Sequence, residues 1–234
     1  VGKYPVSSIL RVPIGAYGSG GPYHSSSVES VLCNIKGIKV AYPSTGADLK
    51  GLMKAAYHDP NPVVMLEHKG LYWSKIKGTE EARTIEPSAD YVVPFGKARI
   101  VQRAEAAHVA QGTAAVVVTY GMGVYWARAA ARTLPGRVTI VDLRTLVPMD
   151  EETVMREVEA HGRCLVVTEE QITNSFAQAL AGRIQSTCFR SLDAPVRSLG
   201  ALDMPAVPLN STLEAAMIPS AEKVQGALEE LLAY

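Results

Sequence analysis

The chain has 234 residues, 47% hydrophobic and 20% charged, which is the composition of a protein with a buried core. Its 23 basic residues balance 23 acidic ones, so the charge gives no indication of a nucleic-acid partner. Apolar runs such as 114–118 are too short to cross a bilayer, and the first residues lack a signal-peptide pattern. Three scattered cysteines indicate reduced thiols, so we expect a cytoplasmic protein without a zinc site.

Apolar, β-rich runs alternate with helical patterns, which predicts mainly parallel sheets covered by helices. Ser26 and Glu29 have the spacing of a capping box at the start of the first helix. The expected elements of the first part are strands at 6–14, 37–42 and 62–67 and helices at 26–33 and 46–58.

The pattern fades between residues 70 and 94 into Gly, Pro, Thr and charged residues, which indicates a connection between two domains. A second α/β series follows, so we divide the chain at residues 1–93 and 94–234. Its expected elements are strands at 97–102, 114–120, 137–143, 164–168 and 195–199 and helices at 124–134, 150–161, 175–187 and 220–233.

A glycine-rich loop follows the first predicted strand and leads to His24. Glycines allow the backbone to approach a ligand closely, and imidazole transfers protons near neutral pH. His24 is therefore the first candidate for a catalytic residue. The alternative is a solvated surface loop with an incidental histidine that precedes a helix.

The segment 11–29 resembles the loop before the active-site histidine in the beta subunit of thiamine-dependent 2-oxo acid dehydrogenases, the decarboxylating component of the pyruvate and branched-chain complexes. Two positions depart from the family pattern, Ser26 where many members have Gln and Val28 where Pro is common. Further blocks occur in the family's order over nearly the whole chain, at 37–44, 48–52, 61–67, 94–98, 118–121, 141–146, 192–196 and 218–219.

This resemblance implies an α/β fold of two parts. Residues 1–93 would form part of a pyrimidine-binding domain, with a doubly wound parallel sheet, and the connecting loop. Residues 94–234 would form a transketolase C-terminal-like domain with a mainly parallel mixed sheet. In the family the first domain begins well upstream, so we expect a fragment of a longer protein. On this view residues 6–14 are an interior strand of a sheet whose earlier strands are absent.

The resemblance also implies roles for residues of the loop. His24 would hydrogen-bond or donate a proton near the thiamine-bound intermediate while the acyl group passes to a lipoyl arm. Ser25 matches the serine that follows this histidine in the family, and Tyr23 is expected to contact the cofactor. Four aromatic residues lie near the loop and the domain connection, Tyr17, Tyr23, Tyr72 and Trp73. They would line a substrate or lipoyl channel, or alternatively be buried at an edge.

A second site is expected where the predicted helix 46–58 ends. Helix ends leave carbonyls unpaired, and oxygen ligands suit a hard cation. Members of the family hold a structural potassium ion at this turn, which points to Ala56, Tyr57, Asp59 and Asn61 with a carbonyl from around Ser8. The alternative is an Asp-Pro-Asn turn that caps the helix without an ion.

The function implied is part of a thiamine diphosphate-dependent 2-oxo acid dehydrogenase, which decarboxylates pyruvate or a branched-chain 2-oxo acid and acylates lipoyl-lysine. The family's activating glutamate, and its diphosphate and Mg²⁺ site in an alpha-type domain, have no counterpart here, since Glu29 and Glu67 are predicted as a helix cap and a strand end. We therefore expect no decarboxylation by this chain alone. Expected partners are the alpha-type subunit and a lipoyl acyltransferase core, in a homodimer or heterotetramer.

Two alternatives remain at this point. One is another transketolase-like enzyme, a transketolase or deoxyxylulose-phosphate synthase. Such enzymes act on sugar phosphates, so several cationic residues would be expected along the loop. Arg11 is the one present, which disfavours this alternative. The other is a non-catalytic module that docks an acyltransferase core.

The remaining polar motifs are predicted to be structural. Glu169 and Glu170 precede a helix whose dipole would stabilise them. Asp142 and Arg144 are two residues apart, which predicts an ion pair on one strand face. The turn 120–123 is weak evidence for a phosphate site. The histidines without a nucleophile partner or ligand spacing are His58, His68, His108 and His161.

Overall fold

The computed structural model describes residues 5–18, 20–72, 74 and 76–234. Its first sheet has the strand order β1-β3-β2-β7. The first three strands, β1 (Ile9–Ile14), β2 (Lys39–Ala41) and β3 (Val63–His68), are parallel, and β7 (Thr145–Val147) is antiparallel to β2. The helices of this part are α1 (Gly21–His24), α2 (Glu29–Cys33) and α3 (Gly46–Tyr57).

The second sheet has the order β4-β6-β5-β8-β9. Its strands are β4 (Arg99–Gln102), β5 (Ala115–Thr119), β6 (Val138–Asp142), β8 (Cys164–Gln171) and β9 (Arg197–Ala201), and they run parallel except for β4. Its helices are α4 (Ala106–Ala110), α5 (Gly123–Ala131), α6 (Glu151–His161), α7 (Phe176–Thr187), α8 (Ser211–Met217) and α9 (Ala221–Leu232).

The central strands of the second sheet are buried on both faces, as parallel strands between helices require. On one face Val117 packs in a cluster with residues of α5 and α9, such as Leu228. On the other face Val116 packs with residues of α6 and α7, such as Val154 and Ile184. The predicted α/β architecture is therefore confirmed.

The first sheet packs against the carboxyl end of the second, because the ring of Tyr42, which follows β2, lies 5.3 Å from the ring of Tyr120, which follows β5. The chain continues from β5 to β6 on one side and from β8 to β9 on the other, so the strand order reverses between β5 and β8. Open α/β sheets usually bind their ligand at the carboxyl ends of the two strands at such a reversal. Here the Tyr42 ring lies against Gly121, where a Cβ would overlap it. The turn 120–123 is buried and does not face a phosphate.

The predicted strands and the longer helices are confirmed, with bounds that differ by a few residues. The capping box is wrong, because α2 follows Val28 without a side-chain cap and Glu29 is buried. The short elements α1, α4, α8 and β7 were not predicted. The division at residues 93 and 94 stays a prediction. No helix in the described part of the chain has the length and hydropathy needed to cross a membrane.

Candidate functional site

The loop after β1 places its three predicted site residues in different environments. His24 ends the one-turn helix α1, where its side chain is exposed and its Nδ1 lies 2.7 Å from the carbonyl oxygen of Tyr23. The Tyr23 side chain is 85% exposed. Ser25, in contrast, is 1% exposed. The loop therefore presents His24 and Tyr23 to solvent and turns Ser25 inwards.

The first half of the loop is held by carboxylates from the second part of the chain. Glu169, at the end of β8, accepts a hydrogen bond of 2.6 Å from the backbone N–H of Ala16. Glu214, on α8, accepts one of 3.0 Å from the N–H of Tyr17. Hydrogen bonds to a charged acceptor are the stronger kind, so these contacts fix the backbone that leads to His24.

The second half of the loop is held by Glu170. Its carboxylate accepts hydrogen bonds from both the N–H (2.8 Å) and the hydroxyl of Ser30, and from the N–H of Phe176 (3.0 Å). The bond to Phe176 lies at the start of α7, in agreement with the structural role predicted for this residue. Together we call Glu169, Glu170 and Glu214 the loop-anchoring carboxylates.

Glu169 also binds His68, which the sequence did not indicate as a functional residue. The two side chains are buried, and His68 Nε2 lies 2.7 Å from Glu169 Oε2. The Nδ1 atom of His68 accepts from the N–H of Gly70, so Nε2 carries the proton that is donated to Glu169. Burial would raise the pKa of Glu169, but His68 and the N–H of Ala16 outweigh it and hold that pKa below its usual value.

Glu29 has the opposite environment. It is fully buried, and neither carboxylate oxygen has a hydrogen-bond partner among the described residues. Burial, and then the charge of Glu170, raise the pKa of Glu29 well above its usual value. The prediction that Glu29 caps a helix is wrong, and the side chain is a buried carboxyl group whose surroundings favour the protonated form.

The five predicted potassium ligands lie around the end of α3, and they are Ser8, Ala56, Tyr57, Asp59 and Asn61. The Asp59 carboxylate is already occupied, since one oxygen pairs with Lys39 and the other accepts from the N–H of Asn61 at 2.9 Å. Burial raises the pKa of Asp59, but these donors outweigh it and lower that pKa below its usual value. An ion here would rely on backbone carbonyls, and potassium stays a prediction.

The charged residues singled out in the sequence, Arg11 and the pair Asp142 and Arg144, have partners that the sequence did not show. Arg11 forms a bidentate pair with Glu67 (2.5 and 2.6 Å), which also accepts from the hydroxyl of Tyr72 at 2.9 Å. Arg11 is therefore engaged by the chain itself, which leaves it unsuited to a sugar phosphate.

The predicted ion pair between Asp142 and Arg144 is wrong. The Arg144 guanidinium pairs with Asp48 at 3.1 Å, while Asp142 accepts from Ser44 at 2.5 Å and from Arg99 at 3.1 Å. Asp142 ends β6, so the two side chains do not share a strand face. The contacts of Arg144 with Asp48 and of Asp142 with Ser44 instead join the two parts of the chain.

The described aromatic candidates for a channel lie in different environments. Tyr17 is half-buried, and its hydroxyl accepts a hydrogen bond of 3.0 Å from the Trp126 indole. Tyr72 binds Glu67, and Trp73 lies outside the described residues. Tyr17 therefore follows the alternative of a buried edge aromatic, and Tyr23 is the ring that stays exposed beside His24.

Comparison with known proteins identifies the class. Residues 1–74 match the transketolase pyrimidine-binding domain, and residues 104–224 match the transketolase C-terminal domain. The chain belongs to this transketolase family.

Within the family, the chain is similar to beta subunits of 2-oxo acid dehydrogenases. It is 37% identical to the 2-oxoisovalerate dehydrogenase subunit beta of Bacillus subtilis over 97% of this chain and 65% of that protein. It is 34% identical to the pyruvate dehydrogenase E1 component subunit beta of Rhizobium meliloti over 97% of this chain and 47% of that protein. The chain thus spans less than two thirds of the length of these relatives.

A solved structure shows the same fold. The chain is similar to a protein described as "Split gene transketolase, inactive beta4 tetramer", with a TM-score of 0.69 and 17% identity over 95% of this chain and 66% of that one. At this identity the likeness concerns the fold alone.

Proposed function

We propose that the chain supplies the beta-type part of a thiamine diphosphate-dependent 2-oxo acid dehydrogenase, acting on pyruvate or a branched-chain 2-oxo acid. The observation that supports this most is the exposed His24 on a loop that three carboxylates hold in place. The dehydrogenase beta subunits among its relatives supply the reaction class. The printed names include both substrates, so the choice between them stays open.

The described residues suit one side of a cofactor site and not the whole of it. They contain no group of three or more His, Cys, Asp or Glu side chains that would hold a metal ion. We propose that an alpha-type partner binds the magnesium ion and the diphosphate of thiamine diphosphate. His24 and Tyr23 are exposed together, which suits a site completed by another surface. When bound, the cofactor would supply the carbanion chemistry of decarboxylation.

The chemistry available to His24 follows from its tautomer. If Nδ1–H donates to the Tyr23 carbonyl at 2.7 Å, Nε2 is left to accept a proton from a reacting group or to return one to it. In this role His24 would serve the transfer of the acyl group to lipoyl-lysine. Ser25, which is buried, would support the loop from inside and would not contact the substrate.

The proposed partners are the alpha-type subunit and a lipoyl acyltransferase core, in a homodimer or heterotetramer. A structural potassium ion at the end of α3 and a cytoplasmic location belong to the same proposal. All three cysteines are free, which is compatible with a reducing compartment. The other transketolase-like enzymes are less well supported, because Glu67 holds the Arg11 side chain.

A chimera tests this function. This chain would replace the matching region of the Bacillus subtilis 2-oxoisovalerate dehydrogenase beta subunit, and the product would be combined with its alpha subunit. We expect decarboxylation measured with an artificial electron acceptor, and acylation of a lipoyl domain. His24→Ala should lower the acylation rate about 100-fold and decarboxylation much less, since one proton-transfer group contributes roughly 10²–10⁴-fold.

His108→Ala is the matched control, because His108 lies on α4, outside the loop. It should leave both rates within about twofold. Equal losses in the two half-reactions, or a His24→Ala chimera as active as its parent, would overturn the role of His24.

A further inference from the structure

Tyr17, in the loop between β1 and His24, has a backbone conformation that residues with a side chain rarely adopt. Its φ is +67°, in the left-handed region. A Cβ makes this conformation costly in free energy, so it persists only where surrounding contacts hold it. Residues of this kind concentrate at functional sites, where their strained backbone fixes the path of a nearby segment. The conformation of Tyr17 therefore calls for a functional explanation.

The second part of the chain holds Tyr17 through contacts from three elements. The N–H of Tyr17 donates to Glu214 on α8 at 3.0 Å, and its hydroxyl accepts from the Trp126 indole on α5 at 3.0 Å. The N–H of the preceding residue, Ala16, donates to Glu169 on β8 at 2.6 Å. The backbone and the side chain of Tyr17 are thus fixed at separate points.

The first part of the chain supports Tyr17 through His68, at the end of β3. The centroids of the two rings are 6.0 Å apart, and the rings are tilted by 58°. The same His68 ring lies against Gly15, where a Cβ would come within 2.3 Å of it. His68 is itself held by Glu169. Gly15 and Tyr17 are therefore packed against one fixed ring.

Beyond Tyr17 the loop has few side chains that could set its path. Three of the residues between Tyr17 and His24 are glycines. Pro22, Tyr23 and His24 are exposed. Among the described residues, Tyr17 is the last one before His24 whose side chain packs in the interior, where it contacts two buried clusters. The path of the chain to His24 thus starts from the orientation of Tyr17.

We infer that Tyr17 is a positioning residue for His24. Its left-handed backbone and its hydrogen bond with Trp126 fix the point from which the glycine-rich loop extends, and they hold the imidazole in one place. Tyr17 acts through the loop and not on the reacting atoms. The inference rests on the proposed function, because it concerns the step that His24 would serve, but the control of the loop by Tyr17 is measurable without any activity.

Hydrogen–deuterium exchange of the 234-residue chain alone tests this control. Tyr17→Phe removes the acceptor of the Trp126 indole and keeps the ring. We expect exchange in a peptide spanning residues 20–28 to become about fivefold faster, as the loss of one hydrogen bond predicts. Tyr91→Phe is the matched control, because it removes a tyrosine hydroxyl that binds Asp48, outside the loop. It should leave this peptide unchanged, and equal exchange in Tyr17→Phe and the wild type would overturn the inference.

The chimera with the Bacillus subtilis beta subunit tests the effect on the reaction. Tyr17→Phe and Trp126→Phe should each lower kcat for acylation of the lipoyl domain about fivefold, with KM for that domain within twofold. The double variant should be no slower than the slower single variant, because both changes remove the same hydrogen bond. Tyr91→Phe should stay within twofold of the parent. Melting curves establish that each variant is folded.

Two results would overturn the inference: losses that multiply in the double variant, or a rise in KM without a fall in kcat. A Tyr17→Phe chimera as active as its parent would do the same. An inactive parent chimera would contradict the proposed function, and the exchange of the isolated chain would then decide whether Tyr17 holds the loop.

Discussion

Two buried glutamates beside the same loop differ in pKa because their hydrogen-bond partners differ. Glu169 accepts from the Ala16 N–H and from His68, and its pKa is lowered despite burial. Glu29 has no such donors among the described residues, and burial raises its pKa. A buried carboxylate is stable only where donors replace the water it loses. Glu169 is therefore an anchor, whereas the surroundings of Glu29 favour its protonated form, and its ionisation weakens the fold.

Glu29→Gln tests this difference through the pH dependence of stability. A raised folded-state pKa means that stability is fully present below the unfolded-state pKa of about 4.3 and is lost as pH rises above it. The neutral Gln removes that loss. We expect the variant to melt at least about 2 °C above the wild type at pH 8 and close to it at pH 4.

Glu152→Gln, an exposed position on α6, is the control and should shift the melting temperature similarly at both pH values. If Glu29→Gln melts below the wild type at pH 8, Glu29 is ionised and paired, contrary to this account.

At the scale of elements, the sequence predicted what local patterns determine. The near-continuous apolar runs of β5, β6 and β8 predicted buried parallel strands, and each is buried along its length. It did not predict β7, which has three residues and is defined by its pairing with β2. Short elements of this kind carry too few residues to show a period.

The same reasoning explains which parts of the site were predictable. A glycine-rich loop with His24 is a local pattern and was recognised. The bonds that hold it join residues far apart in the chain: Glu169 is 153 positions from Ala16, and Glu170 is 140 from Ser30. The side-chain partners of Asp142 are Ser44, 98 positions away, and Arg99, whereas the nearby Arg144 donates to it only through its backbone N–H. No periodicity or spacing in a single sequence indicates such partners, so Asp142 was misassigned. Glu29 was misassigned because the spacing of a capping box does not show that its carboxyl group is buried.

Glu169→Gln tests whether the loop is held from β8. The amide of Gln has one acceptor oxygen, whereas Glu169 accepts with both oxygens, from His68 and from the N–H of Ala16. In the variant the NH₂ group would therefore face one of these two donors, and that hydrogen bond would be lost. We expect a loss of about 1–3 kcal/mol in the free energy of unfolding and faster hydrogen exchange at Ala16.

Glu214→Gln is a matched comparison, because its amide oxygen can still accept from the N–H of Tyr17. It should cost less than about 0.5 kcal/mol. Equal exchange rates at Ala16 in the wild type and in Glu169→Gln would show that this carboxylate does not hold the loop.

For the whole molecule, the first part of the chain packs against the carboxyl end of the second sheet. Tyr42 lies against Gly121 at the junction of β5 and β8, and the loop-anchoring carboxylates point into the first part of the chain. The ion pairs of Arg99 and of Arg144 with Asp48 join the same two parts. The second part of the chain therefore supports the loop that carries His24.

The central claim is that this supported loop forms one side of a shared active site. Hydrogen–deuterium exchange of the chain, alone and with an alpha-type 2-oxo acid dehydrogenase subunit, thiamine diphosphate and Mg²⁺, tests it most directly. We predict slower exchange in a peptide spanning residues 20–28, around His24, and little change in α9. Unchanged exchange around His24, in a mixture where binding is shown by sedimentation, would contradict the claim.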